Sequence, residues 1–206
     1  MNSNATVFVV DDDSAMRNSL KWLIETVGMR VETFASAEEF INAYYPGRAG
    51  CLLLDVRMPG MSGLELQEYF ARQDIHIPVI IITGHGDVPM SVRAMKAGAV
   101  DFIEKPFNDE QLLESIRNAL EIDQGQRSVQ AERAEIAARL AQLTPREHEV
   151  MEMVTNGKAN KEIASTLGVS AKTVEAHRAR VMEKMEATSL AGLVKMAIAA
   201  NLYSDH

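Results

Sequence analysis

At 206 residues, 47% of them hydrophobic, the chain is long enough to bury the cores of two small domains. No stretch approaches the roughly 20 apolar residues of a membrane-spanning helix, and the N-terminus lacks the basic-then-apolar layout of a signal peptide. The one cysteine, Cys51, excludes an intrachain disulfide or a cysteine metal cluster. A cytoplasmic protein without membrane contact is expected. The formal net charge of −8 lies wholly within residues 1–122 and leaves the remainder neutral. That remainder carries a modest basic patch of Lys158, Lys161, Lys172, Arg178, Arg180 and Lys184, interspersed with Glu162, Glu175 and Glu183.

Thr6–Val10 is an apolar run that ends at Asp11-Asp12-Asp13 and predicts a buried strand with acids at its carboxyl end. Ser14 is expected to cap a helix over Ala15–Val27, stopped by Gly28. A short strand follows over Val31–Phe34, then a helix to Tyr44 opened by a capping box of Ser36 and Glu39. The run Cys51–Leu54 leads into Asp55 and is broken by Pro59-Gly60, so it reads as a strand that presents Asp55 at a sheet edge. Ser62 and Glu65 form a second capping box, for Gly63–Gln73. Val79–Thr83 is the fourth strand. Gly84-His85-Gly86-Asp87 is a turn whose aspartate can cap Val88–Ala97, and Gly98 closes that helix. Asp101–Glu104 is the fifth strand, followed at once by Lys105-Pro106, and Asn108 with Gln111 caps a helix to about Glu121. Five βα units predict an α/β doubly wound, five-stranded parallel sheet.

From 123 to 142 the sequence turns polar. Ile122, Val129, Ile136 and Leu143 recur every seven residues, which fits a helical connector with a short coiled-coil seam. Gln124-Gly125-Gln126 is a poor helix stretch and leaves a solvated flexible linker open. Thr144-Pro145-Arg146-Glu147 is a fourth capping box with proline at the first helical position. Asn160 is expected to cap Lys161–Leu167, Gly168 turns the chain, and Ser170 opens a helix to about Met185, the spacing of a helix-turn-helix. Thr188-Ser189 opens a last helix over Leu190–Ala200. The domains are thus expected at 1–122, 123–142 as linker, and 143–206 as a small all-α helix-turn-helix domain.

Asp11, Asp12 and Asp55 come from strand ends that neighbour each other in such a sheet, and unit charges 4 Å apart repel by about 4 kcal/mol at an effective dielectric of 20. A positive group is required there, and an all-oxygen set points to Mg²⁺. Lys105 and the Thr83 hydroxyl join the same edge. A cation, a lysine and a hydroxyl beside a carboxylate suit the handling of a transferring phosphoryl group.

Residues 5–122 resemble the receiver domain of two-component response regulators, a flavodoxin-like or CheY-like fold. The resemblance rests on Val10-Asp11-Asp12, Leu54-Asp55 with Met58-Pro59-Gly60, Ile82-Thr83-Gly84, Ala97-Gly98-Ala99 and Lys105-Pro106, all in family order. It implies Asp55 as acceptor of a phosphoryl group from a sensor histidine kinase. It also implies Mg²⁺ held by Asp11, Asp12, Asp55 and the Arg57 carbonyl, Lys105 on the phosphoryl oxygens, Thr83 and Phe102 as switch residues, and a cis Lys105-Pro106 bond. Asp13 is read as a solvated acid. By the same resemblance Arg57 and His85 either screen the acyl phosphate from water and set its hydrolysis rate or are exposed loop residues without a role.

Residues 140–202 resemble the LuxR-type helix-turn-helix of the NarL/FixJ family, on its FixJ side, through Thr144-Pro145-Arg146-Glu147, Asn160-Lys161-Glu162-Ile163 and Thr173-Val174-Glu175-Ala176-His177. On the Ser170–Met185 helix, Val174, Val181 and Met185 are expected in the core. That leaves Lys172, Glu175, Ala176 and Ala179 for a major groove, with Thr173, His177, Arg178, Arg180, Lys161 and Lys184 as groove or phosphate contacts. The whole chain then reads as a regulator, an activator by resemblance, that dimerises on phosphorylation through Val92, Met95, Lys96 and Asp101. It binds double-stranded promoter DNA and engages RNA polymerase, and it is no enzyme beyond its own phosphoryl transfer and dephosphorylation. A haloacid-dehalogenase-type phosphatase fails on Ala15, where its motif wants Thr or Val, and on a missing acidic pair after Lys105. An adaptor whose tail grips protein or RNA would lack salt-dependent duplex binding.

Overall fold

The computed structural model of the chain describes residues 5–84 and 88–200. The chain divides into two compact units between Arg127 and Ser128. The first unit alternates β1 (Thr6–Val10), α1 (Ser14–Thr26), β2 (Arg30–Phe34), α2 (Ala37–Ala43), β3 (Gly50–Asp55), α3 (Gly63–Arg72), β4 (Val79–Thr83), α4 (Val88–Lys96) and β5 (Asp101–Glu104), and ends in the first part of α5 (Asp109–Leu140). All the strand pairs are parallel, in the order β2-β1-β3-β4-β5. Chain order reverses between β1 and β3, which is where open α/β sheets place their sites.

The period of two along each strand sends alternate residues to opposite cores. Phe8, Val10, Leu52, Leu54, Val79 and Ile81 pack with Phe40, Leu66, Phe70 and Ala94, against α2, α3 and α4. Val7, Val9, Cys51, Leu53, Ile80 and Ile82 pack with Leu20, Ile24, Leu112 and Ile116, against α1 and α5. Burial on both faces explains why these strands are continuous apolar runs with no alternation. Cys51 is a buried core thiol whose pKa burial pushes far up, with the nearby Asp123 charge adding to the rise.

Helix starts in this unit follow local chemistry with two differences. Asp13, read as a solvated acid, is the N-cap of α1: its side chain accepts from Ala15 N at 2.8 Å, and Ser14 is the first helical residue. At α2, Ser36 accepts from Glu39 N, while Glu39 accepts from Ala35 N in place of Ser36 N, so the box is not reciprocal. At α3 the Ser62–Glu65 box is complete. Asp87, expected to cap α4, lies outside the described residues.

The helix expected to end near Glu121 instead continues through Gly125 to Leu140. A glycine in mid-helix costs about 1 kcal/mol, and a side-chain clasp spans it. Asp123 is buried, and its Oδ2 accepts from Gly50 N at 3.0 Å. Arg127 Nε donates to both Asp123 oxygens, at 2.9 and 2.8 Å, and its Nη2 donates to the Arg48 carbonyl. Residues 123–127 therefore belong to the first unit. Asp123→Ala strips a buried amide and a guanidinium of their partner and is expected to cost about 2–4 kcal/mol. Hydrogen exchange should show it as lost protection in β3, with α6–α9 unaffected.

The second unit comprises the end of α5, α6 (Pro145–Thr155), α7 (Asn160–Leu167), α8 (Ala171–Lys184) and α9 (Leu190–Ala199). Its core holds Ile136, Val150, Met151, Val154, Ile163, Val174, Val181, Met185 and Leu193, with Leu143 packed against it. The seven-residue repeat thus divides. Ile136 and Leu143 serve this core while Val129 stays exposed, so the repeat does not form one continuous apolar seam. Gly168, at φ 64°, adopts the left-handed conformation that turns α7 toward α8. Ala159 is the N-cap of α7, and Asn160, expected as the cap, is its first helical residue.

Candidate functional site

In the β1–β3 ladder Val10 lies opposite Leu54, so the residues that follow, Asp11 and Asp55, emerge side by side at the carboxyl edge of the sheet. Lys105 follows β5, and its backbone N–H donates to the Thr83 carbonyl at 2.8 Å, which fixes its entry. Its ammonium stands 2.7 Å from Asp11 Oδ2 and 2.7 Å from Asp55 Oδ1. The remaining oxygens are also held: Asp11 Oδ1 accepts from Asp13 N at 2.9 Å, and Asp55 Oδ2 from Arg57 N at 2.7 Å. The two carboxylates are 3% and 7% exposed, so these bonds are made largely out of water.

Burial is the largest influence on Asp55 and raises its pKa; the hydrogen bond and charge of Lys105 oppose the rise and Asp11 adds to it, leaving Asp55 above the ordinary carboxylate value. For Lys105 burial acts downward, but the hydrogen bonds and charges of Asp11 and Asp55 outweigh it, and its pKa lies above the usual lysine value. The positive group that the acids demand is thus supplied here by a side chain of the protein itself. Among the described residues no three His, Cys, Asp or Glu side chains gather closely enough to hold a metal ion by themselves. Mg²⁺ needs no such cage, since it binds through one or two carboxylates together with waters and phosphate oxygens. Two neighbouring strand-end carboxylates, whose ligating atoms are hard oxygens, fit it.

Thr83 is 1% exposed, and Phe102 is half-buried against the α2–α4 core. Asp12 is exposed, as is the Arg57 side chain, whose backbone N–H makes the contact to Asp55. His85 lies outside the described residues. The Lys105-Pro106 bond is cis. Two residues at this edge went unread in the sequence. Gly63 sits so close to the Asp55 carbonyl that a Cβ there would stand 2.2 Å from it; a glycine directly after the capping serine was its only signal. Arg17 donates through Nη1 to the carbonyls of Asp11 and Asp12, at 2.7 and 2.9 Å. It carries no local signal.

Residues 7–117 match the response regulator receiver domain, and residues 141–197 match the bacterial regulatory proteins of the luxR family. Nodulation protein W of Bradyrhizobium diazoefficiens is 47% identical over 205 residues, covering 100% of this chain and 90% of that protein. The transcriptional regulatory protein FixJ of Azorhizobium caulinodans is 46% identical over 202 residues, 98% of this chain and 96% of its own length. The chain belongs to the NarL/FixJ family of two-component response regulators. The solved structure of the response regulator StyR has a TM-score of 0.87 at 43% identity, covering 95% of this chain and 98% of that one.

The output domain of this response regulator separates the residues expected at DNA into two sets. Lys161, Lys172, Thr173, Glu175, Ala176, Ala179 and Arg180 are exposed. Others are turned to the protein. Lys184, expected at DNA, donates to Glu147 Oε2 at 2.6 Å and to the Gln142 carbonyl at 3.1 Å, which makes it part of the α6–α8 packing. Arg178 donates to Asn160 Oδ1 between α8 and α7, and His177 is half-buried with a buried Nδ1 that has no partner among the described residues. All three side chains are half-buried. On the receiver, Val92, Met95 and Lys96 are exposed along α4, joined by Val88 at 75% exposure, which the sequence reading passed over. Asp101 is half-buried and accepts from Phe102 N at 2.8 Å and from the Ser115 hydroxyl.

Proposed function

We propose that Asp55 accepts a phosphoryl group from a phosphohistidine of a sensor kinase, and that the modified chain pairs through the receiver and activates transcription from promoter DNA. The observation that carries this reading is the Lys105 ammonium 2.7 Å from both Asp11 and Asp55. Such a cation stabilises the charge that gathers on the phosphoryl oxygens and holds the acceptor in place before transfer.

An oxygen of Asp55 bonds to phosphorus as the phosphorus–nitrogen bond of the donor breaks, and the freed imidazole keeps the electron pair. Asp11, Asp12 and Asp55 with the Arg57 carbonyl would hold Mg²⁺, which when bound neutralises phosphoryl charge. Lys105 then trades its bond to Asp55 for one to the phosphoryl group. Thr83 and Phe102 lie on the strands that flank this edge, so they are placed to report the new charge toward α4 and β5. Water later attacks phosphorus, releases inorganic phosphate and restores the carboxylate, so the chain catalyses only its own phosphorylation cycle. Val92, Met95 and Lys96 form the pairing surface. Lys172, Thr173, Glu175, Ala176, Ala179 and Arg180 enter a groove, and RNA polymerase in the cytoplasm is the downstream partner. Neutral charge in the output domain keeps non-specific DNA affinity low and makes pairing matter.

The test is intact mass, sedimentation and duplex binding of the full chain with Mg²⁺, with and without a small acyl phosphate donor. One added phosphoryl group, a monomer-to-dimer shift and tighter, salt-sensitive promoter binding are expected. A chain that gains the phosphoryl group yet stays monomeric with unchanged DNA affinity would overturn the coupling.

A further inference from the structure

Arg17 is the fourth residue of α1, and it reaches back beneath the segment that carries the acids. Its Nη1 donates to two successive backbone carbonyls, Asp11 O at 2.7 Å and Asp12 O at 2.9 Å. One planar cation therefore fixes two adjacent peptide groups, the ones on either side of the Asp12 Cα. The neighbouring carboxylates do not depend on it in the same way. Asp11 is held by Lys105 and Asp13 N, and Asp55 by Lys105 and Arg57 N. The Asp12 carboxylate is exposed and has no hydrogen-bond partner among the described residues, so only its backbone is fixed, and Arg17 holds that backbone.

We propose that Arg17 is a positioning residue for the Mg²⁺ site: by clamping the Asp11 and Asp12 carbonyls it fixes the Asp12 backbone beside the edge occupied by Asp11 and Asp55, within reach of a shared ion. The inference rests on the reading of these acids as a Mg²⁺ site. Mg²⁺ demands near-ideal octahedral geometry, so rotating the Asp12 peptide would move a ligand out of range. Groups that orient metal ligands from behind are worth 10–100-fold in affinity. Arginine suits the task because its guanidinium is planar, always charged and rigid over several donors. Its charge acts the other way, since a cation near the site repels Mg²⁺. Orientation and repulsion thus predict opposite signs when Arg17 is removed.

The full chain and its Arg17→Ala, Arg17→Gln and Arg17→Lys variants should be titrated with Mg²⁺ alone by calorimetry, with circular dichroism to verify folding. Their phosphorylation by a small acyl phosphate is then followed across Mg²⁺ concentrations. Arg17→Ala and Arg17→Gln are expected to weaken Mg²⁺ binding about tenfold or more. The Mg²⁺ concentration for half-maximal rate should rise by the same factor, while the rate at saturating Mg²⁺ stays within about twofold of wild type. Arg17→Lys, which keeps the charge and can reach a carbonyl, recovers part of the affinity; it and Arg17→Gln carry the comparison if Arg17→Ala fails to fold. Folded variants that bind Mg²⁺ as tightly as wild type, or more tightly, overturn the proposal. A wild-type chain that binds no Mg²⁺ sinks the metal reading itself, a result distinct from either.

Discussion

An Asp55→Asn chain is expected to gain no phosphoryl group from a donor that modifies wild type fully, because a carboxamide oxygen cannot form an acyl phosphate that water later cleaves. The substitution is nearly isosteric, and its amide oxygen can still accept from Arg57 N, the 2.7 Å bond seen in the wild-type site. Lys105 keeps Asp11 as its partner. The fold should therefore survive, and the sign of its stability change follows from the raised pKa of Asp55. A carboxyl whose folded pKa lies above its unfolded value lowers stability as pH rises through that interval, and the loss persists at neutral pH. Removing the charge should leave the receiver at least as stable as wild type at pH 7, and thermal midpoints of the two chains measure this. Intact mass after donor treatment checks the chemistry. A modified Asn variant would mean that the acceptor lies elsewhere, and a strongly destabilised one that Asp55 serves the fold.

The second large effect belongs to the output domain. Glu147 closes the capping box of α6, accepting from Thr144 N at 2.9 Å, and it also accepts from Lys184 Nζ at 2.6 Å while its side chain is 3% exposed. The hydrogen bond from Lys184, followed by that from Thr144, brings its pKa down from 4.5 to about 2. The folded value is depressed, so the stability it contributes is present in full above about pH 4.5 and is lost as pH falls toward 2. Lys184 is 32% exposed and solvent screens the pair, so the acid-sensitive part amounts to about 1–2 kcal/mol. Glu147→Gln should remove that pH dependence and lose the same part, about 1–2 kcal/mol, already at neutral pH. Glu147→Ala removes the cap as well and strands Lys184, at an expected cost of about 3–4 kcal/mol. Hydrogen exchange across α6 at pH 7 and pH 3 reads both variants. Equal acid sensitivity in wild type and Glu147→Gln would show that another group titrates.

Both predictions begin from residues that the sequence offered, and they differ in how much it could say. Asp55 was legible because an apolar run, an acid and a Pro-Gly break lie within a few residues of one another. The capping role of Glu147 was legible from Thr144-Pro145 three residues before it. Its partner was not: Lys184 lies 37 residues on, and its basic character on the α8 helix pointed to DNA.

The sequence by itself determined the five strands, the parallel doubly wound sheet, the helix-turn-helix and the acidic strand ends, because apolar periodicity, glycine stops and capping boxes act over a few residues. The tertiary structure alone decided the other long-range partners. Asp123 reaches Gly50 across 73 residues, Lys184 reaches Glu147 across 37, and Arg178 turns to Asn160. Such pairings depend on strand register and helix rotation, which set distances to within an ångström only after both cores have packed, and no local pattern encodes them.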